Sequence, residues 1–328
     1  MSQELLITGG AGFIASNFIR HLLKNTTNRI TNIDALTYAG NQENMNGFAE
    51  SENYRFFHGD ISQTETLDSV FDRTYDVIIN FAAESHVDRS IENAKRFIET
   101  NINGTHALLG KVLEGKAGKM IQVSTDEVYG SLNELDAAFT EQHCLSPNNP
   151  YSASKAGADL LVRSFFETYK LPLIITRCSN NYGPYQHPEK FVPKIIYNAL
   201  NNKKIPLYGD GLNIRDWLYV EDHCRAIYMI MNNGKSGEIY NIGGNYEKTN
   251  IELIRTILNY LGKGDDLISY VSDRKGHDRR YAIDSTKVKK QLGWEPNVSF
   301  DVGIKQTIDW YINNEKWISN ALSRSELS

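Results

Sequence analysis

Short apolar runs punctuate the first half of the chain: Leu5 to Ile7, Ile30 to Asp34, Tyr54 to Phe57, Val77 to Phe81, Met120 to Val123 and Leu173 to Thr176. Between them apolar residues recur every three or four positions, as at Ile14, Phe18, Ile19, Leu22 and Leu23. The first pattern predicts strands and the second helices. Strands with so few polar positions are covered on both faces, so the alternation predicts an α/β fold on a doubly wound parallel sheet. After about Asn180 the pattern loosens. Pro184, Pro188, Pro193 and Pro206 interrupt it, and Thr249 reads as the N-cap of a helix carrying Ile251, Ile254, Ile257, Leu258 and Leu261. A smaller mixed C-terminal lobe is expected over the mouth of the sheet. The division falls at 1–180 and 181–328, a soft boundary across which segments can interleave.

Composition mainly excludes. The 328 residues are 41% hydrophobic and 23% charged, as in an ordinary globular chain with a real core. Thirty-five Lys and Arg against 40 Asp and Glu leave a net charge of -5, which offers nucleic acid or an anionic membrane no long-range attraction. No stretch approaches the roughly 18 apolar residues of a membrane span, and the first residues carry no secretory pattern. Cys144, Cys178 and Cys224 are few, odd in number and match no metal spacing, and His21, His106 and His143 are scattered. Reduced thiols, a cytoplasmic location and no metal are expected.

Gly9-Gly10-Ala11-Gly12-Phe13-Ile14-Ala15 lies where the first strand gives way to the first helix. Glycines at 9 and 12 allow a tight turn and close approach to a pyrophosphate. The helix start beyond offers that anion free N–H groups and partial positive charge. Asp34 ends the second strand about 20 residues on, where a carboxylate accepts from ribose hydroxyls and repels a 2′-phosphate. This is the Rossmann dinucleotide fingerprint, with NAD favoured over NADP. Asp60 either bonds the adenine amino group or caps a helix from Ser62; the sequence leaves both open.

Tyr151 and Lys155 stand four apart in a helical stretch and share a face. A free phenol, with a pKa of about 10, is no base at neutral pH. A nearby ammonium and the positive nicotinamide ring lower that value, so Tyr151 is expected to take a hydroxyl proton while Lys155 also holds the nicotinamide ribose. Such a pair is common on surface helices; behind the glycine fingerprint it resembles the extended short-chain dehydrogenase/reductase family, whose members modify nucleotide sugars.

Within that family, Thr125-Asp126-Glu127 after the strand Met120 to Val123 resembles the dTDP-glucose 4,6-dehydratases, where 4-epimerases carry small residues. The likeness covers nearly the whole chain, through Asp34 to Asn41, Ala82 to Ser90, Asn180 to Tyr185 and Arg215-Asp216-Trp217. It implies oxidation of dTDP-glucose at C4, loss of water across C5 and C6, and return of the hydride to C6. Tyr151 takes the 4-hydroxyl proton, Thr125 steadies the 4-oxygen, Glu127 removes the C5 proton and protonated Asp126 releases the 6-hydroxyl as water. One acid must be charged and its neighbour neutral.

The resemblance also extends the NAD site to Phe13, Ile14, Leu36, Thr37, Ile61, Phe81, Ala82, Ala83, Ser85, Thr100 and Asn181. Ser85, Thr125 and Asn180 are expected at the sugar. Lys190, Phe191, Pro206, Leu207, Tyr208, Arg215 and Asn250 are expected around the nucleotide and diphosphate. Asp273 to Tyr281 is a basic loop suited to a diphosphate through Asp273, Arg274 and His277, although Lys275 stands where the family usually has Pro and Ala15 where it usually has Gly. Trp217 and Trp294 are expected to pack. The family forms homodimers through paired helices, here from about Asn93 and about Ser152. UDP-glucose as substrate, a 4-epimerase and a non-catalytic NAD-binding sensor are the alternatives.

Overall fold

The computed structural model describes residues 2–327. In chain order its strands are β1 (Glu4–Thr8), β2 (Arg29–Asp34), β3 (Tyr54–His58), β4 (Val77–Asn80), β5 (Met120–Thr125), β6 (Leu173–Cys178), β7 (Asn180–Tyr182), β8 (Ile205–Tyr208), β9 (Ile214–Tyr219), β10 (Ile239–Ile242), β11 (Glu247–Thr249), β12 (Ile268–Val271) and β13 (Arg280–Tyr281). Seven of these form one parallel sheet in the order β10-β6-β5-β4-β1-β2-β3. Successive side chains of a strand face opposite sides. Leu5 and Ile7 therefore join one core with Ile79, Ile121 and Val123, while Leu6 joins another with Ile33, Ile78, Met120 and Leu173. Both faces are covered, as the apolar runs predict. The strand order reverses between β1 and β4, which opens a crevice at the carboxyl ends of the strands.

The helix Val220–Asn233 and strand β10 come from beyond residue 180 but belong to this layer. The helix packs on Phe13–Asn25, and β10 extends the sheet beside β6. A cut at 180 therefore does not separate the two layers. The second lobe centres on β9, which pairs with β7, β11 and β13, with β8 and β12 paired alongside. Its own core gathers Tyr182, Ile195, Ile254, Ile304 and Trp317. Thr249 does cap the helix Asn250–Tyr260: its hydroxyl accepts from Glu252 N, and Glu252 Oε2 accepts from Thr249 N at 2.9 Å.

Two other expectations change. The helix foreseen from Ser62 begins at Thr64. Asp60 does not cap it; its carboxylate accepts from the Ser62 N–H and hydroxyl, both at 2.8 Å, and closes the turn ahead of it. The helical stretch near Asn93 runs from Lys95 to Leu113 with a wider π-helical segment at Ile98–Gly104. It lies against the helix Pro150–Tyr169, and Ile98, Leu113, Leu160 and Tyr169 stay exposed on the two. No helix among the described residues is long and apolar enough to cross a membrane.

The turn after β1 packs closely against the start of the loop after β4. Gly9 has φ +74°, and a Cβ there would lie 2.8 Å from the Ala82 backbone nitrogen. Gly9→Ala should cost about 1–3 kcal/mol of stability from the positive φ, with more from the clash, read as a lower urea midpoint.

Candidate active site

The carboxyl ends of β1, β2, β4 and β5 open into one cavity. It is lined by Gly9, Gly12, Phe13, Ile14, Asp34, Thr37, Asp60, Ile61, Phe81, Ala82, Ala83, Ser85, Thr100, Tyr151, Lys155 and Asn181, and by Thr125, Asp126, Glu127, Asn180 and Lys190. The expected cofactor residues thus come together, Leu36 excepted. Leu36 instead uses its backbone: its N–H donates to Asp34 Oδ1 at 2.7 Å with φ +50°. Asp34 Oδ2 accepts from Ala11 N at 2.9 Å, which fixes the carboxylate and leaves lone pairs for a hydroxyl ligand. Burial raises its pKa, and the two backbone bonds oppose that.

At Gly12 the helix Phe13–Asn25 begins with no side-chain cap and no acid in its first turn. Its free N–H groups are unscreened by protein carboxylates. With the cradle at Gly9 that a Cβ would fill, these residues fit a dinucleotide.

The catalytic candidates converge at the end of β5. Asn149 caps the helix Pro150–Tyr169 through a reciprocal bond with Ser152, which starts the helix one residue before Tyr151. Asn101, on the π-helical segment, donates to Ser154 Oγ at 2.8 Å and to the Glu84 carbonyl at 3.0 Å, tying that helix to the loop after β4. The Thr125 hydroxyl is within hydrogen-bonding reach of the Tyr151 phenol and donates to Asp126 Oδ1 at 3.2 Å.

The electrostatics separate the two acids. Asp126 is 2% exposed, and its Oδ2 has no partner among the described residues. Burial, then Glu127 and Asp216, push its pKa well above the usual carboxylate value. Burial also raises Glu127, but Arg274, Arg215 and the Asn149 amide draw it back down. Burial favours the neutral form of Asp126 more strongly, while the two arginines make Glu127 the more readily ionised of the pair.

The expected effect of Lys155 on Tyr151 is not what the geometry gives. The Lys155 ammonium donates to the Val123 carbonyl at 2.7 Å. Burial, then Glu127 and the Cys178 thiol, raise the phenol well above its ordinary value. A positive charge on the ligand side is what this phenol needs to become a base.

The substrate set divides. Ser85 accepts from Lys190 Nζ through its carbonyl at 2.7 Å. Arg215 is buried, donates to the Asp278 carbonyl at 3.0 Å and lies 4.3 Å over the Tyr281 ring. Arg274 faces Glu127, with its Nε unpartnered among the described residues. His277 is held by Asp273 Oδ1 at 2.6 Å and meets the Tyr208 ring edge-on. Phe191 stacks on Trp217, Pro206 pairs in register with Ser269, and Asn250 N donates to the Asn213 carbonyl at 3.0 Å. Leu207 is fully buried, with its side chain packed in the second core.

The basic loop is also less free than its charges imply, because Arg279 pairs with Glu134 and Asp210, and Arg280 with Glu247. Trp294 packs as expected, fully buried, with Nε1 donating to the Asp222 carbonyl. Sequence reasoning missed Ser124, Cys178 and Trp317 in the cavity wall. Trp317 arrives on the last helix and donates to Asn44 Oδ1 at 2.9 Å, a contact across 273 residues with no local signal.

The profile of the GDP-mannose 4,6 dehydratase family matches residues 6–307. The chain belongs to this dehydratase family. A dTDP-glucose 4,6-dehydratase of Salmonella typhimurium is 48% identical, with 98% of this chain and 96% of that protein covered. The low-salt glycan biosynthesis protein Agl12 of Haloferax volcanii is 51% identical over 96% of this chain and all of its own length. The crystal structure of DesIV, a dTDP-glucose 4,6-dehydratase from Streptomyces venezuelae with NAD and TYD bound, superposes with a TM-score of 0.94. It is 47% identical and covers 97% of this chain and 99% of that one. The family places the cavity at the carboxyl ends of the strands within a fold that binds dinucleotides there.

The raised pKa of Asp126 has a stability consequence. The folded state holds this proton more tightly than the unfolded chain, so the carboxyl destabilises the fold once pH rises above the unfolded value of about 3.9. Asp126→Asn should therefore be more stable than the parent at pH 7–8. The gap should close as pH falls to about 4, as followed by thermal melts across pH.

Proposed function

We propose that the chain is an NAD-dependent hydro-lyase that converts dTDP-glucose to dTDP-4-keto-6-deoxyglucose. The observation that carries this reading is the Asp126–Glu127 pair beside Tyr151, one acid held neutral by burial and the other eased towards its charged form by two arginines. An epimerase has no use for such a pair, and a sensor has no use for Tyr151 and Lys155 in the same wall. The similarity to proteins named dTDP-glucose 4,6-dehydratases over nearly the full chain supports the nucleotide.

Gly9, Gly12, Asp34, Tyr151, Lys155 and Asn181 would hold NAD, which when bound supplies a hydride acceptor and later donor. The protein's part is to move protons. Tyr151 accepts the proton of the sugar 4-hydroxyl, with Thr125 donating to the same oxygen. The resulting ketone acidifies the neighbouring C5–H, which Glu127 removes. Asp126 protonates the 6-hydroxyl so that it departs as water, and C5 is reprotonated at the close. Lys190, Arg215, Arg274 and His277 offer positive charge or donors to the diphosphate. The exposed Leu160, with Ile98 and Leu113 exposed on the adjacent helix, supports a homodimer built on these helices.

Incubation with dTDP-glucose and no reductant should give a product lighter by one water, seen by mass spectrometry, with NAD unchanged at the end. In D2O the product should carry one deuterium at C5. Glu127→Gln should lower kcat by about 10²–10⁴-fold. An unchanged mass with altered chromatography would mean epimerisation, and turnover of UDP-glucose at an equal rate would overturn the choice of nucleotide. Leu160→Glu should shift sedimentation from dimer to monomer.

A further inference from the structure

His223 lies on the helix Val220–Asn233, fully buried, with no part in the chemistry above. Its Nδ1 is 2.9 Å from Asn181 Oδ1. Its Nε2 is buried and has no partner among the described residues. An unpaired buried polar atom is costly, and a Phe at this position would avoid that cost. Burial lowers the imidazole's pKa to about 3, so it is neutral at working pH.

The Asn181 amide fixes which nitrogen carries the proton. Asn181 Nδ2 donates to the Ser179 carbonyl at 3.0 Å, which points Oδ1 at the imidazole. Nδ1 must therefore be the N–H and Nε2 the bare lone pair. The Asn181 backbone is also fixed, paired in register with Leu218 of β9. With Oδ1 and one amide hydrogen committed, the second amide hydrogen is directed to the cavity wall, within hydrogen-bonding reach of the weakly accepting Cys178 thiol. An amide flip would set Oδ1 against the Ser179 carbonyl and, in this imidazole tautomer, Nδ2 against the His223 N–H.

We propose that His223 is a positioning residue for the cofactor: its Nδ1–H locks the Asn181 side chain so that an amide N–H faces the nicotinamide end of the bound dinucleotide. This rests on the NAD reading above. The ligand chemistry it fits is an acceptor such as the carboxamide oxygen. His223 thus leaves a buried nitrogen unpaired while its other nitrogen fixes one donor of Asn181.

The test compares holoenzyme with His223→Phe, which fills the space without a donor, and His223→Asn, whose Nδ2 can replace Nδ1–H. The readouts are the NAD dissociation constant by calorimetry, kcat and KM for dTDP-glucose, and the melting temperature. His223→Phe should weaken NAD at least tenfold while melting no lower than the parent, and leave KM for the sugar nucleotide within about twofold. His223→Asn should recover most of the loss.

In an Asn181→Ala background, His223→Phe should weaken NAD no further, since the histidine acts only through that amide. This cycle also serves if one single variant folds poorly. Unchanged NAD affinity in His223→Phe, equal losses in the Phe and Asn variants, or additive losses in the cycle would each overturn the proposal. A parent protein that binds no NAD would instead overturn the cofactor reading on which it rests.

Discussion

Removal of water from the carboxyl end of β5 is the constraint on which the site depends. Asp126 there is 2% exposed and its Oδ2 is unpaired, a position in which a carboxylate is costly and a neutral carboxyl tolerable. Burial therefore biases Asp126 towards its neutral form before any substrate arrives. The same low-dielectric surroundings strengthen the pull of Arg215 and Arg274 on Glu127. Burial raises both carboxyls, and the placement of the cations separates them.

Rigid polar links hold that environment in place. Asp216, buried on β9, accepts from Gly244 N at 2.9 Å and Tyr246 N at 2.7 Å, and so fastens the loop after β10 to the second lobe. Asn101 fastens the catalytic helix to the loop after β4. Arg177 and Asp159 form a buried pair at 2.9 Å beneath Tyr129, one turn of helix beyond Lys155. A buried pair of this kind adds little net stability but is costly to break singly, which suits a role in fixing the catalytic helix against β6. The cavity wall is thus drawn from both lobes, and neither alone contains the site.

The parallel sheet was legible because its strands are buried on both faces and show as unbroken apolar runs. The cofactor crevice was legible because Gly9, Gly12 and Asp34 answer to local geometry: a turn, a close approach and a strand end. Tyr151, Lys155, Asp126 and Glu127 were legible as neighbours in sequence that stay neighbours in space. Where the reading went astray, the cause was a longer-range partner. Lys155 turned to the Val123 carbonyl, and Arg279 and Arg280 to distant acids.

By itself the sequence determined the strand and helix periodicity, the dinucleotide turn and the residue types in the catalytic row, since each of these is set by contacts within a few residues. Only the tertiary structure decided which acid keeps its proton, which arginines are free to meet a ligand, and that Trp317 and His223 support the cavity from far along the chain. Those outcomes depend on burial and on partners far along the chain, 42 residues for His223 and Asn181 and 273 for Trp317 and Asn44, and no local pattern encodes either.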